Sequence, residues 1–364
     1  MKKDFLNLAK ELLCAPGNGV FTVNTAKERK EFLHGILYKG SDDINASWLD
    51  SLDSSLNTEK TFVLGVCSDT GGGIQRGANW GPLFLRNTLL KEHEDLSYAE
   101  LGDIRVIPHL LHDKYLNEET KTSCRNALYG QESQLPVSPL SLTEEICDHF
   151  YESFPEKRIF AIGGDHSVSY PLVKSYLKAK KKQGIKAAII HFDAHTDLLT
   201  ERLGIDICFG SWCTHILEYL DSPEYLLQFG IRSSGKERSH WESTFGVQQF
   251  WSSEITEKGP EQIAQGVISF LKKEGIEELY VSFDIDALDE KYASATGTPE
   301  PNGMSPDEAI TIIKKLSNEF PITGADMVEI APLVCKDDVD HPEPHTTLTF
   351  GAAISAKLLE ALNT

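Results

Sequence analysis

The stretch His191-Phe-Asp-Ala-His-Thr-Asp197 closes an apolar run, Ala187 to Ile190, and its reading decides the fold. An uninterrupted apolar run of this length, bounded by polar residues, indicates a buried strand. Asp193, His195 and Asp197 alternate with Ala194 and Thr196, so an extended backbone would aim all three ligand-type side chains one way. Convergent carboxylates and imidazoles at a strand end repel one another and are costly to desolvate. A divalent cation among them removes both penalties.

Two further segments repeat the pattern. Ser282-Phe-Asp-Ile-Asp-Ala-Leu-Asp289 follows the apolar Leu279-Tyr-Val281 and puts Asp284 and Asp286 at i, i+2. Gly163-Gly-Asp-His-Ser167 follows the strand-like Arg158 to Ile162 and sets His166 at a strand-to-loop junction. An isolated Asp-x-His-x-Asp arises by chance and is then a capping or salt-bridge network. Two companion segments in equivalent positions favour a metal site over that bland reading.

The rhythm around these segments gives the architecture. Helical pattern 143–153 precedes strand 158–162, helix 167–182 precedes strand 187–193, and helix 210–220 precedes strand 225–231. Helix 260–274 precedes strand 278–284, helix 306–318 precedes strand 322–330, and helix 346–362 closes the chain. Upstream, a strand-like run from Thr61 to Cys67 opens onto Asp69-Thr-Gly-Gly-Gly73 and a helix from Trp80 to Lys91. Alternation of this kind predicts an α/β protein, a three-layer α/β/α fold with a mostly parallel central sheet. Active sites in such folds lie outside the carboxyl ends of the strands, where the ligand-type residues fall. Residues 1–58 read as an N-terminal extension of one or two helices packed on the core. Residues 112–142 are polar and irregular, either a linker or a long surface excursion. Gly71-Gly-Gly-Ile-Gln-Arg-Gly77 lacks the ending of a phosphate loop and reads as a flexible turn at the mouth of the site.

Composition excludes several classes. A formal charge of −20 argues against nucleic acid or an anionic membrane surface as a partner and is compatible with a cationic substrate. The seven cysteines form no Cys-x-x-Cys pair, which suits a reducing cytoplasm better than a disulfide scaffold. The opening Met-Lys-Lys-Asp-Phe-Leu-Asn-Leu-Ala-Lys reads as an amphipathic helix and not a signal peptide. No apolar stretch reaches membrane-spanning length. A carboxylate-rich ligand set with two imidazoles and no cysteine suits Mn²⁺ best, with Ni²⁺ and Co²⁺ also accepted. Six such residues, with some carboxylates bridging, are enough for two ions, and so for metal-assisted hydrolysis.

These segments resemble the ureohydrolases, the family of arginase and agmatinase. The resemblance runs from about 60 to 360 and includes the loop Ala295-Thr-Gly-Thr-Pro-Glu-Pro301. It implies an arginase-like fold with residues 59–364 as the ureohydrolase catalytic domain, and a homo-oligomer, trimer or hexamer. It implies two divalent metal ions held by His166, Asp193, His195, Asp197, Asp284 and Asp286, with Asp197 also carrying the nucleophile's proton. Glu329, in Asp326-Met-Val-Glu-Ile-Ala-Pro332, takes the position of the acid that grips the guanidinium group in relatives. A carboxylate pairs with that planar group through two parallel hydrogen bonds.

The sequence departs from the family pattern twice. Where relatives carry a His-Gly pair credited with proton shuttling, this chain has Phe209-Gly210, leaving His215 as a candidate catalytic substitute. Where arginases place an Asn and hydroxyl residues for the substrate's amino-acid headgroup, it has Leu198-Leu-Thr-Glu-Arg202. Both point to a small cationic guanidino substrate without the full arginine headgroup. Agmatine comes first, then a smaller guanidine if Phe209 and Trp212 narrow the pocket. The alternatives are a formimino-group hydrolase, with Arg202 or Arg232 holding a substrate carboxylate, and a family member without turnover that serves as a metal-dependent binding or regulatory subunit.

Overall fold

The structure is a computed structural model that describes residues 2–20, 25–72, 75–130, 133–334 and 345–364. The strands are β1 (Leu13–Cys14), β2 (Thr61–Gly65), β3 (Ala99–Ile104), β4 (Arg158–Ile162) and β5 (Ala187–Phe192). They continue as β6 (Leu226–Ile231), β7 (Gln248–Trp251), β8 (Glu278–Asp284) and β9 (Ile322–Val328). All join one sheet in the order β1-β3-β2-β4-β9-β8-β5-β6-β7. Every pairing is parallel except β1 with β3. Because β2, β4, β5, β6 and β9 are buried at every position, helices must cover both faces. The helices Gly81–Glu92, His345–Asn363, Pro306–Ser317 and Pro260–Lys273 pack in succession as one row. Lys2–Leu12, Pro139–Ser153, Ser169–Gln183 and Trp212–Ile216 form the other.

The register places the site. β4, β9, β8 and β5 are adjacent, and Ile162 pairs with Met327, Asp284 with Val328 and Phe192 with Phe283. Four neighbouring strands therefore end level, and the segments that follow them leave the sheet side by side. Beneath that edge runs an aromatic ladder. Phe283, Phe192, Phe229 and Phe250 stack across β8, β5, β6 and β7 with centroid separations of 5.0, 5.2 and 4.9 Å. These match the interstrand spacing of about 4.8 Å, so the rings stand one per strand and stiffen the floor under Asp193.

The structure also corrects details. Residues 1–58 supply three helices among the described residues, Lys2–Leu12, Lys27–Leu37 and Ile44–Thr58, as well as the antiparallel edge strand β1. The segment is tied down by Asp103, whose Oδ2 accepts the backbone N–H groups of Gly17 (2.8 Å) and Gly19 (3.1 Å). Arg86 neutralises this buried carboxylate at 2.7 Å and Glu100 at 3.0 Å. Residues 112–142 are not wholly irregular, since Glu118–Tyr129 is a helix with no buried residue. The predicted helix 210–220 is one short α-helical turn followed by a 3₁₀ turn, Leu217–Tyr219.

Candidate binuclear metal centre

Strand β5 stops at Phe192, and Asp193–Asp197 form a loop, contrary to the extended reading. Distance explains the difference. Along a straight strand Asp193 and Asp197 would stand about 13 Å apart, too far to share a partner. Instead Asp197 takes a left-handed backbone (φ 51°) and returns its carboxylate to within 3.2 Å of His166 Nδ1. A non-glycine residue in that conformation is strained and needs surrounding contacts to hold it.

Around His166 Nδ1 stand Asp193 Oδ2 and Asp284 Oδ2 at 3.1 Å and Asp197 Oδ2 at 3.2 Å. His195 Nδ1 lies 3.2 Å from both Asp193 Oδ1 and Asp286 Oδ2. Asp193 thus sends one oxygen to each group and joins the two. Backbone amides fix the carboxylates' outer sides: His195 N–H on Asp193 Oδ1 (2.6 Å), Asp286 N–H on Asp284 Oδ1 (2.8 Å) and Ala194 N–H on Asp286 Oδ1 (3.0 Å). Thr298, from the loop 295–301, donates to Asp286 Oδ2 at 3.0 Å.

The chemistry of this donor set fits two cations. His166 Nε2 is 3.0 Å from Ser282 Oγ, which itself donates to Asp326 Oδ1 at 2.8 Å. The serine's one proton is thereby committed, so His166 donates through Nε2 and turns the lone pair of Nδ1 towards the carboxylates. That buried Nδ1 has no hydrogen-bond partner despite three carboxylate oxygens around it. Ligands about 2.1–2.2 Å from one ion and at right angles stand about 3.0 Å apart, close to the spacings observed.

The electrostatics agree. Burial, then the charge of Asp193, pushes Asp197 well above the usual carboxylate range, and burial with Asp286 and Asp193 does the same to Asp284. Burial also disfavours a charged His166, but the carboxylates of Asp193, Asp284 and Asp197 around it outweigh that and raise the ring well above ordinary imidazole. Asp193 moves the other way: its burial is overcome by His166, His191 and His195, which hold it well below its usual range. The site carries more buried negative charge than its own residues neutralise.

A cavity of about 400 Å³ opens beside this cluster, which reaches it through His195 and Asp197. His195, Thr196 and Asp197 line it together with Leu199, Arg202, Phe209, Ser233, Lys236 and Trp241.

With this geometry in view, comparison with known proteins is decisive at the family level. The chain matches the family described as the arginase family over residues 59–359. It belongs to that family. This arginase-family chain is accordingly a hydrolase acting on amidine C–N bonds. It is 32% identical over 229 residues to agmatinase of Bacillus subtilis, covering 62% of this chain and 70% of that protein. With the mitochondrial guanidino acid hydrolase of Homo sapiens it shares 28% identity over 288 residues, 74% and 70% of the two chains. Among solved structures it resembles proclavaminate amidino hydrolase from Streptomyces clavuligerus (TM-score 0.64, 23% identity, covering 84% of this chain and 91% of the other). Formimidoylglutamase from Bacillus subtilis has the same TM-score, 0.64, with 20% identity over 84% and 87% of the chains. Both likenesses concern the fold.

The six residues expected as metal ligands are brought together. Glu329, just beyond β9, also has a left-handed backbone (φ 62°). Its Oε1 accepts the His166 backbone N–H at 2.8 Å, while Oε2 has no hydrogen-bond partner among the described residues. Burial, then the charges of Asp284 and Asp165, raises this acid well above its usual range. His215 is turned elsewhere: its Nε2 lies 3.1 Å from the Thr200 carbonyl, its ring faces Tyr170, and it is not among the cavity's lining residues. Arg232 is committed to backbone carbonyls, among them Pro301, Asp286 and Glu300, at 2.7–2.9 Å. Within the glycine-rich turn, Gly71 donates to Asp165 (3.0 Å) and accepts from the Phe209 amide (3.1 Å); Gly73 and Ile74 lie outside the described residues.

Sequence reasoning missed three supports. His191 donates to Asp193 Oδ2 at 2.9 Å, its Nδ1 being occupied by Gln228 Nε2 at 2.9 Å. It shares the parity of Asp193 and His195, a signal that was present. Trp212, expected either to narrow the pocket or to pack in the core, is fully buried and donates its indole N–H to Asp197 Oδ2 at 2.8 Å. Asp326, which orients Ser282, stands opposite it in the β8–β9 register.

Proposed function

We propose that the protein is a binuclear metal-dependent hydrolase that cleaves the guanidino C–N bond of a small ω-guanidino compound and releases urea. The observation that carries this reading is Asp193, whose two oxygens divide between His166 and His195 beside an open cavity that His195 and Asp197 line. His166, Asp193, Asp197 and Asp284 would hold one ion and Asp193, His195 and Asp286 the other, with manganese favoured by the oxygen-rich, thiol-free set. When bound, two such ions lower the pKa of water towards neutrality and polarise the group it attacks. The residues of the chain do the remainder. The unpartnered Oε2 of Glu329 is suited to a guanidinium N–H and would orient the planar carbon for attack. Asp197, buried, raised in pKa and on the cavity surface, is placed to take the nucleophile's proton and return it to the departing amine. Phe209 cannot move protons, so this load falls on Asp197.

Agmatine, favoured by the sequence departures, and the ω-guanidino acids both present the required group. The six described cysteines are unpaired, which supports a reducing, cytoplasmic setting; Cys335 lies outside the described residues. The test is direct. Protein reconstituted with Mn²⁺, and separately with Ni²⁺, is offered a panel of guanidino compounds and assayed for urea and ammonia beside an Asp193→Ala control. Urea from at least one compound, absent in the control, is expected. Product no greater than the control, with metal shown to be bound, would instead favour a binding or regulatory role.

A further inference from the structure

The charged residues of the cavity rim carry one sign. Apart from the floor residues His195 and Asp197, the charged side chains in the lining are Arg202 and Lys236. In a chain with 55 acidic and 35 basic side chains, two cations and no acid run against the average. Neither has an acidic partner among the described residues, whereas nearby Arg238 is paired with Glu242 and Glu254 at 2.7 Å.

Both are exposed side chains carried on hydrogen-bonded backbone. Arg202 opens a tight hairpin in which Arg202 and Ile205 exchange backbone hydrogen bonds of 2.8 and 3.0 Å. Its two central residues, Leu203 (φ 53°) and Gly204 (φ 84°), take the left-handed conformation such a turn demands. The guanidinium carbon of Arg202 rests 5.0 Å from the centre of the Phe209 ring, which supports it from below. Opposite, Ser234 Oγ accepts the backbone N–H of Lys236 (3.2 Å) and the indole N–H of Trp241 (2.9 Å) and donates to the Lys236 carbonyl (2.7 Å). One hydroxyl thus fixes both the backbone that carries Lys236 and the aromatic wall beside it.

We infer that Arg202 and Lys236 form an anion subsite for the far end of the substrate, so that the preferred substrate is an ω-guanidino carboxylic acid and not a diamine-type guanidine. This rests on the preceding reading that the cavity floor takes the guanidino group. Leu199, Phe209 and Trp241 then flank the methylene chain between the two ends. The ammonium of agmatine would sit against two like charges, while a carboxylate would meet two opposite ones. The same position that lacks the family's shuttle histidine therefore serves the specificity of the site, with Phe209 as the platform for Arg202.

The test uses the full chain loaded with Mn²⁺ and isothermal titration with 4-guanidinobutanoate, butylguanidine and agmatine, in wild type and in the Arg202→Gln/Lys236→Gln double variant. Wild type should bind the acid at least tenfold more tightly than butylguanidine, and agmatine more weakly than either. The double variant should bring the acid to the affinity of butylguanidine, and the wild-type preference should shrink as salt rises. Agmatine bound as tightly as the acid, an acid that does not bind, or a preference untouched by the double substitution would each overturn the inference. The predicted order of binding without urea release would defeat the proposed reaction and leave the subsite standing. Faster urea release from agmatine than from the acid would do the reverse.

Discussion

Replacing Ser282 by Ala removes one hydroxyl and should weaken one metal position out of two. In the structure that hydroxyl lies between His166 Nε2 (3.0 Å) and Asp326 Oδ1 (2.8 Å), and Asp326 is held on its other oxygen by Tyr280 OH at 2.7 Å. Without it, the buried Nε2–H loses its acceptor, and the tautomer that places a proton on Nδ1 becomes competitive. That tautomer cannot bind a cation. Loss of such an outer partner typically costs 10–100-fold in metal affinity, or about 1.4–2.7 kcal/mol. The effect should fall on the ion that His166 holds. His195 orients through other contacts, Asp193, Asp286 and Glu300, none of which involves Ser282. Competition titration with a chromophoric chelator should therefore turn from two comparable steps into two separated ones, with Ser282→Thr, which keeps the hydroxyl, close to wild type. Unchanged affinity in folded Ser282→Ala protein, or equal weakening of both steps, would refute the claim that this chain of bonds fixes the ligand tautomer.

Three other outcomes follow from the same geometry. Trp212→Phe keeps the buried ring but deletes the 2.8 Å bond to Asp197, so kcat should fall about 10–100-fold, the worth of a hydrogen bond to a charged group, with the fold retained by circular dichroism. Burial pushes the thiols of Cys67, Cys147 and Cys213 well above their ordinary range, so at pH 8 they should resist iodoacetamide in native protein and react only after unfolding, as read by peptide mass spectrometry. Because His166, Asp197 and Asp284 are raised, the metal-free cluster holds its protons more tightly than free side chains do, and bound metal must displace them. Metal affinity should then rise with pH, and calorimetry in two buffers of different ionisation enthalpy should show net proton release.

What the sequence revealed, and what it concealed, divides on physical lines. Strands β4 and β8 have the bounds their apolar runs predict, 158–162 and 278–284, because burial on both faces leaves a continuous signature. β3 was missed since Ala-Glu-Leu-Gly-Asp-Ile carries two acids that read as loop. Only the fold reveals Arg86 coming from another element to neutralise them. β7, Gln-Gln-Phe-Trp, is a half-polar edge strand, and Gln249 serves a hydrogen bond to Gln228 (2.8 Å) in the network behind His191. The ligands themselves were legible as residue types at strand ends. Their convergence was expected from an extended backbone, but it depends instead on a left-handed turn at Asp197 that no periodicity encodes. Ser282 and Asp326 lay inside quoted motifs, yet their pairing is a matter of strand order, with β8 beside β9. Arg232 and His215 show the converse: residue types suited to chemistry whose polar atoms face backbone carbonyls.

The central claim is that Asp193 joins two cation positions, and metal counting tests it most directly. Wild-type protein loaded with Mn²⁺ and freed of excess should hold two ions per chain by inductively coupled plasma mass spectrometry, and Asp193→Ala should retain neither tightly. One ion or none in wild type, or two in the variant, would contradict it.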